Sequence, residues 1–283
     1  MGAAVPPLVS TDWLAVNLGR PDLVVVEVDE EAARYWAGHV PGAHNLDWLD
    51  DLHGPLGRTF VNADDFTKVM NRTGVANDSH VVLYGDSTNA FAASAFWLFR
   101  SYGHSRLSLL DGGRRLWLLE GRQLDDAAPA PVRLPPPYRV ADANTELRVT
   151  RDELLERFVG APRGTAVIDC RSVQEYAGRV VEQVDLPLEH QHSLGHIPGA
   201  VSLTSSQLVD PLTDRLKPAT HLRRLFAEHG VHDDLEVVVY CSVAERSALT
   251  WFALHELLGH PRVRNYDGGW AEYGSLMDVP VAR

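Results

Sequence analysis

Cys241 opens the segment Cys241-Ser242-Val243-Ala244-Glu245-Arg246-Ser247, which lies between the short apolar run Val237 to Tyr240 and a stretch, Arg246 to Leu258, with apolar residues at helical spacing. A thiol between a strand end and a helix start meets backbone N–H groups and the positive end of the helix dipole, both of which favour the thiolate. Since the thiolate is the nucleophile, Cys241 is expected to attack and to form a covalent intermediate. The competing reading of a lone cysteine after an apolar strand is a buried structural residue, and the strand-loop-helix setting argues against it. Arg246, inside the same segment, is a cation close in sequence to such a nucleophile. Glu189, His190, His192 and His196 suggest a metal site only weakly. His196 belongs to a repeated turn motif whose other copy, around His39, has no such cluster, and His190 and His192 fall in Val180 to Leu194, an exposed insertion that the other copy lacks.

The elements that must position Cys241 alternate in type. Leu23 to Val28, Val81 to Tyr84, Ala166 to Asp169 and Val237 to Tyr240 are short β-branched runs without polar alternation, as strands buried on both faces require. Helical patterns lie between them. Thr11 to Leu18 and Thr150 to Phe158 begin on good capping residues, while Ala90 to Tyr102 and Arg246 to Leu258 carry helical apolar spacing. Strands alternating with helices imply an α/β fold with open, mainly parallel sheets flanked by helices, and ligand sites at the carboxyl ends of the strands.

The chain also repeats itself. Gly38-His39-Val40-Pro41-Gly42-Ala43 returns as Gly195-His196-Ile197-Pro198-Gly199-Ala200, Val81-Val82-Leu83-Tyr84 as Val237-Val238-Val239-Tyr240, and Asp111-Gly112-Gly113 as Asp267-Gly268-Gly269. The last two matches share an offset of 156 residues (237 − 81 and 267 − 111), as do Gly103-His104 and Gly259-His260. A period this long means two copies of one domain rather than a solenoid. The expected division is a first domain over 1–124, a linker over 125–145 carrying Pro129, Pro131 and Pro135-Pro136-Pro137, and a second domain over 146–283. At the shared offset the first copy has Gly85 in place of Cys241. That copy cannot form the same intermediate, and its expected role is to pack against the second domain so that the reactive loop lies in a cleft between them.

Composition bounds the remaining possibilities. The 283 residues are 45% hydrophobic and 23% charged, as in ordinary globular proteins. A formal charge of −12 argues against nucleic acid or an acidic membrane surface as partner, so an anionic substrate needs a local site. Met1 to Ser10 lacks the pattern of a secretory signal, and two cysteines are too few for a disulfide scaffold, which fits a reducing cytoplasm.

The Gly-His-Ile-Pro-Gly-Ala motif at 195–200, Asp169-Cys170-Arg171-Ser172, the loop opened by Cys241, and Asn265-Tyr266-Asp267-Gly268-Gly269-Trp270 together resemble the rhodanese superfamily, in particular its tandem-domain thiosulfate and 3-mercaptopyruvate sulfurtransferases. The resemblance implies two tandem rhodanese-like α/β domains, with Cys241 taking a sulfane sulfur from a small anionic donor, holding it as a persulfide and passing it to a thiophilic acceptor such as cyanide, a thiol or a thiol-bearing protein. It implies no cofactor and no metal. It implies substrate contacts from Arg171 and Arg246 and from the loop residues Ser242, Val243, Ala244 and Glu245, with Asp169 as an orienting partner rather than a base. Arg171 pairing with an interdomain carboxylate is the competing reading. Phosphatases of this fold place an arginine six positions after the cysteine, whereas here Arg246 follows by five, and the shorter loop suits a single sulfur atom. Some of those phosphatases carry a second cysteine that protects the first, so Cys170 is a redox-partner candidate for a reversible Cys170–Cys241 disulfide, beside its reading as a core residue. Ser242 and Ala244 stand where thiosulfate-type relatives have arginine and glycine, and the mercaptopyruvate-type Gly-Ser-Gly is also absent. A weakly active or noncatalytic persulfide carrier is therefore a third reading. Ala244 is expected to strain the loop if its backbone needs a positive φ.

Overall fold

The computed structural model describes residues 5–54, 59–127, 138–140, 144–180 and 193–283. Its contacts divide the chain into two units, 1–144 with 209–216, and 145–208 with 217–283.

The first unit runs β1 (Leu8–Val9), α1 (Thr11–Asn17), β2 (Leu23–Asp29), α2 (Ala32–Trp36), β3 (His44–Asp47), α3 (Trp48–Leu52), α4 (Ala63–Arg72), β4 (His80–Tyr84), α5 (Ala90–Ser101), β5 (Leu107–Leu110) and α6 (Gly113–Leu119). Its strands form one parallel sheet in the order β1-β5-β4-β2-β3. The second unit runs α7 (Arg151–Arg157), β6 (Thr165–Asp169), α8 (Val173–Tyr176), β7 (Val201–Ser202), α9 (Ala219–Glu228), β8 (Glu236–Tyr240), α10 (Glu245–Phe252), β9 (Val263–Asn265) and α11 (Gly269–Tyr273), with parallel order β7-β6-β8-β9. Each chain segment with a β-branched run became a central strand because both of its faces are covered, and Val237, Val238, Val239 and Tyr240 are all fully buried. Strands β5 and β9, which the sequence reading passed over, pair with β4 and β8, β5 lying between β4 and β1 and β9 at its sheet's edge. Among the described residues no helix is long and apolar enough to cross a membrane.

Two boundaries differ from the sequence-based division. Asp125, placed in the linker, exchanges backbone hydrogen bonds of 2.8 Å with His39, and the buried ring of Tyr138 lies 5.9 Å from both Phe66 and His104. Both therefore belong to the first unit, while the prolines at 129, 131 and 135–137 lie outside the described residues. The second difference is 209–216, assigned by sequence position to the second domain. Its Arg215 Nε donates to Asp111 Oδ2 at 2.8 Å and the Leu216 amide donates to Asp111 Oδ1 at 2.9 Å, which ties the segment into the first unit.

The repeated turn motif has the same structural duty in each unit. The His39 ring stacks on Tyr35 with its Nδ1 3.1 Å from the Tyr35 carbonyl, and the His196 ring stacks on Tyr176 with its Nδ1 2.9 Å from the Tyr176 carbonyl. Both histidines lie beside their turns as structural hydrogen-bonding groups.

Beneath each sheet's carboxyl end lies a buried tyrosine, carboxylate and guanidinium, assembled from different positions in the two copies. In the second unit Tyr240 donates to Asp169 Oδ2 at 2.6 Å, and Arg171 grips the same carboxylate through Nε at 3.0 Å and Nη2 at 2.7 Å. In the first unit Tyr84 donates to Glu27, and the guanidinium comes from Arg114, whose Nη1 is 2.6 Å from Glu27 Oε1. The strand registers Glu27↔Tyr84 and Asp169↔Tyr240 make the carboxylates equivalent. Arg114 corresponds at the repeat offset to Trp270, over whose ring the Arg171 guanidinium sits at 4.4 Å. A buried charge needs a partner of opposite sign, and each copy meets that need from a different element, α6 in the first and the residue two past Asp169 in the second.

Candidate active site

Strand β8 delivers Cys241 to the carboxyl end of the sheet, and the loop turns into α10 through Ala244, whose φ is +83°. The expected strain is therefore present: a side chain in this left-handed conformation costs about 1–2 kcal/mol relative to glycine. Opposing hydrogen bonds hold the loop in place. The Trp270 amide donates to the Cys241 carbonyl at 2.8 Å and the Ala271 amide to the Ser242 carbonyl at 3.1 Å, so the first turn of α11 clamps the loop backbone. This clamp requires Gly269, because a Cβ there would sit 2.3 Å from the Ser242 carbonyl oxygen, at a φ of +56°.

The Cys241 side chain is fully buried. Its Sγ donates to Glu245 Oε2 at 3.3 Å, and the Ser247 hydroxyl lies 3.6 Å from Sγ while donating to Asn265 Oδ1 at 2.8 Å. Arg246 binds Glu245 through Nε at 3.0 Å and Glu175 through Nη1 at 2.9 Å. Burial works to raise the Glu175 carboxyl, but the Arg246 guanidinium and the Ser172 hydroxyl and amide outweigh it and hold the group below the ordinary carboxylate range.

The resting thiol differs from the sequence-based expectation of a thiolate. Burial, followed by the Glu245 carboxylate, pushes the Cys241 thiol up to about 12, and the opposing pull of Arg246 and Ser247 does not offset them. The helix-start argument omitted desolvation, which disfavours the charged form. A thiol raised in this way stays protonated across the physiological range, and alkylation by iodoacetamide in the absence of donor is expected to keep climbing about tenfold per pH unit past pH 9. Stopped-flow mass analysis reads this directly, and a plateau near pH 8 would contradict it.

Of the residues singled out from sequence, the structure brings Cys241, Ser242, Val243, Ala244, Glu245 and Arg246 together in one loop, with Ser242 and Val243 partly exposed at its mouth. Arg171 is placed differently. Its guanidinium is 3% exposed and is engaged by Asp169, by the Gly195 carbonyl at 2.7 Å and by the Trp270 face, so its polar contacts are made within the fold. Its carboxylate partner is local, two residues away, and not on the other domain. Cys170 directly follows β6, and its amide donates to the Tyr240 carbonyl at the end of β8 at 2.8 Å. Both cysteines are buried free thiols, and burial holds Cys170 well above the ordinary thiol range. Glu189, His190 and His192 lie outside the described residues, and among the described residues no cluster of His, Cys, Asp and Glu could hold a metal.

Three contributors were missed. Glu175 was visible as the fourth residue of Ser172-Val173-Gln174-Glu175, a capping-box pattern, and it does cap α8 while holding Arg246. Asn265 stood in a quoted motif without a role. Ser247 was read only as the residue that replaces an arginine.

The equivalent loop of the first unit has closed. The Gly85 amide donates to Asn89 Oδ1 at 2.9 Å, the Arg114 amide to the Gly85 carbonyl at 3.1 Å and the Asp86 amide to Asp29 Oδ1 at 2.7 Å, while a Cβ on Gly85 would sit 2.3 Å from the Val28 carbonyl oxygen. Gly85→Cys is accordingly expected to destabilise this unit by about 1–3 kcal/mol, as overpacking does, and to add no second sulfur-accepting thiol. Urea unfolding and intact mass after donor treatment check the two halves of that statement.

The rhodanese-like domain family matches residues 10–120 and again 150–276, spanning both copies and both loops. The chain belongs to the rhodanese family. As a tandem rhodanese it is 44% identical to the sulfur carrier protein TtuD of Thermus thermophilus over 100% of this chain and 99% of that protein. It is 43% identical to a Mycolicibacterium smegmatis protein named "Putative thiosulfate sulfurtransferase", over 97% of this chain and 96% of the relative. Its structure is similar to that of SseA from Escherichia coli, described with the 3-mercaptopyruvate sulfurtransferases, at a TM-score of 0.77 and 26% identity over 94% of this chain and 99% of SseA. These relatives make this rhodanese a sulfurtransferase-family protein with two copies of one fold, each a parallel sheet flanked by helices.

Proposed function

We propose that this protein transfers a sulfane sulfur from thiosulfate or a related donor, through a persulfide on Cys241, to cyanide or a thiol acceptor. The observation that carries the reading is a single cysteine at the carboxyl end of β8 inside a loop clamped by α11, in the one copy where the position is not a sterically closed glycine. The thiol gives its proton to solvent base. The thiolate then attacks the outer sulfur of thiosulfate, the new S–S bond forms as the old one breaks, and the electron pair leaves with sulfite. In the second half a thiol acceptor, as its thiolate, takes the terminal sulfur, and Cys241 recovers a proton. Loop amides not committed to the fold are the groups suited to hold the terminal sulfur. Arg246 is the cation closest to this chemistry, and the two free cysteines fit a reducing cytoplasm.

Two neighbouring readings have specific support. The likeness to SseA favours 3-mercaptopyruvate as donor, and the likeness to a sulfur carrier favours delivery of the persulfide to a partner protein. Incubation with thiosulfate, and separately with 3-mercaptopyruvate, followed by intact mass, distinguishes them. A gain of one sulfur that cyanide removes supports transfer, and the donor that loads faster names the class. Loading that is discharged by a thiol protein but not by small thiols supports the carrier. No adduct from either donor sinks the transferase reading.

A further inference from the structure

The charge around Cys241 is unfavourable for the donor that the relatives' names suggest. Two carboxylates, Glu245 and Glu175, share one guanidinium, Arg246, at 2.9–3.0 Å, and the other nearby guanidinium, Arg171, is neutralised by Asp169. Glu245 is also the nearest charged group to the reacting sulfur, with Oε2 at 3.3 Å from Sγ, and only 8% of the residue is exposed, so solvent screens it little. Where an arginine would meet an anionic donor, the chain has Ser242.

We propose that Glu245 is a specificity-determining residue that selects sulfur donors by charge, disfavouring dianions such as thiosulfate and favouring donors whose reacting end carries one negative charge or none, such as a persulfide. The proposal rests on the transfer chemistry above and names its donor class. Attack of a Cys241 thiolate on thiosulfate brings a dianion against the thiolate and the Glu245 carboxylate, with a single shared guanidinium to oppose them. A persulfide, R–S–SH, presents a neutral or singly charged sulfur and leaves as R–S⁻ once Cys241 has taken the outer sulfur, so the same bonds form and break at lower electrostatic cost. The groups facing Sγ are Glu245, Arg246 and Ser247 from α10 and its loop, Cys170 from the end of β6, and, through Ser247, Asn265 of β9. Glu245 is the only carboxylate among these.

The test uses two alkylating reagents of nearly equal size and different charge, neutral iodoacetamide and anionic iodoacetate, on the full-length protein. Both react with the thiolate, so the ratio of their rates cancels the thiol's own titration and reports the charge met by the reagent. In the natural protein iodoacetamide is expected to be favoured beyond its preference with the uncharged thiol N-acetylcysteinamide by about 5-fold or more, the factor that one unit charge about 4 Å away gives even with water-like screening. Glu245→Gln should bring the ratio back towards that of N-acetylcysteinamide, and Glu245→Asp, which keeps the charge, should restore much of the preference. Loading by thiosulfate relative to cysteine persulfide should rise in Glu245→Gln by a similar factor. A natural protein whose ratio equals that of N-acetylcysteinamide overturns the proposal, as does a ratio unchanged by Glu245→Gln or a Cys241 closed to both reagents. The comparison with N-acetylcysteinamide needs no variant and stands if Glu245→Gln does not fold. Absence of sulfur loading from every donor would sink the transfer reading alone, because the alkylation ratio judges the charge selection without it.

Discussion

Cys241→Ser is expected to abolish sulfur loading outright: intact mass after treatment with thiosulfate, 3-mercaptopyruvate or cysteine persulfide should show no cyanide-removable adduct, while the fold is unchanged. The size of the effect follows from the inventory of thiols. The chain has two cysteines, and Cys170 directly follows the interior strand β6, 1% exposed, with burial holding its thiol protonated. The first unit has no cysteine, and Gly85 has no room for one. Removing Cys241 thus removes the covalent intermediate rather than slowing it, and a serine hydroxyl, far less nucleophilic and with no carboxylate positioned to deprotonate it fully, does not replace a thiolate towards sulfur. Serine is nearly isosteric and stays within reach of Glu245 and Ser247, so stability should change little. A persistent adduct in Cys241→Ser would move the chemistry to Cys170, and the double variant would then decide.

The second large effect is on stability. Arg171→Ala should lower the stability of the second unit by about 3–5 kcal/mol, because it leaves the Asp169 carboxylate buried without its counter-charge. Asp169 is fully buried, its Oδ2 also accepts from Tyr240, and the guanidinium that would be lost additionally holds the Gly195 carbonyl and covers the Trp270 ring. Hydrogen exchange read by mass spectrometry localises the loss: amides of β6 and β8 should lose protection while β2 and β4 keep theirs. This measurement separates the two roles considered for Arg171. A guanidinium that served mainly to bind donor would raise the donor concentration needed for half-maximal loading and leave exchange unchanged.

The α/β class and the central strands were readable because parallel strands buried on both faces leave continuous β-branched runs such as Val81 to Leu83 and Val237 to Val239, and because the repeat allowed each unit to be checked against the other. Cys241 was readable for the same reason: a strand ending in cysteine before a helical pattern has few structural solutions. What could not be read depended on the third dimension. The protonation of Cys241 is set by complete burial and by a carboxylate four residues on, and neither the depth nor the direction of Glu245 follows from its place in the loop. Arg171 was open between donor and carboxylate because a guanidinium two residues from Asp169 can fold back or reach away, and it folds back only because Trp270 offers a face to lie on. Gly85 read as a lost cysteine, but the carbonyl of Val28 that excludes any side chain there belongs to another strand. The short strands β5 and β9 carry too few residues for a periodic signal.

The segment 209–216 has a consequence for biosynthesis. It completes the first unit, yet 64 residues, 145–208, separate it from the rest of that unit in the order of synthesis. At a translation rate of about 5–20 residues per second, Asp111 waits about 5–20 s after the last strand of its sheet has been made before Arg215 and Leu216 follow. The nascent first unit is therefore obliged to fold provisionally, with an unmatched acidic loop, and its final consolidation is deferred until about half of its successor has been polymerised. A gene cut between the two copies would encode a first half that never receives its closing piece, so the two halves, alike as they are, are not interchangeable modules.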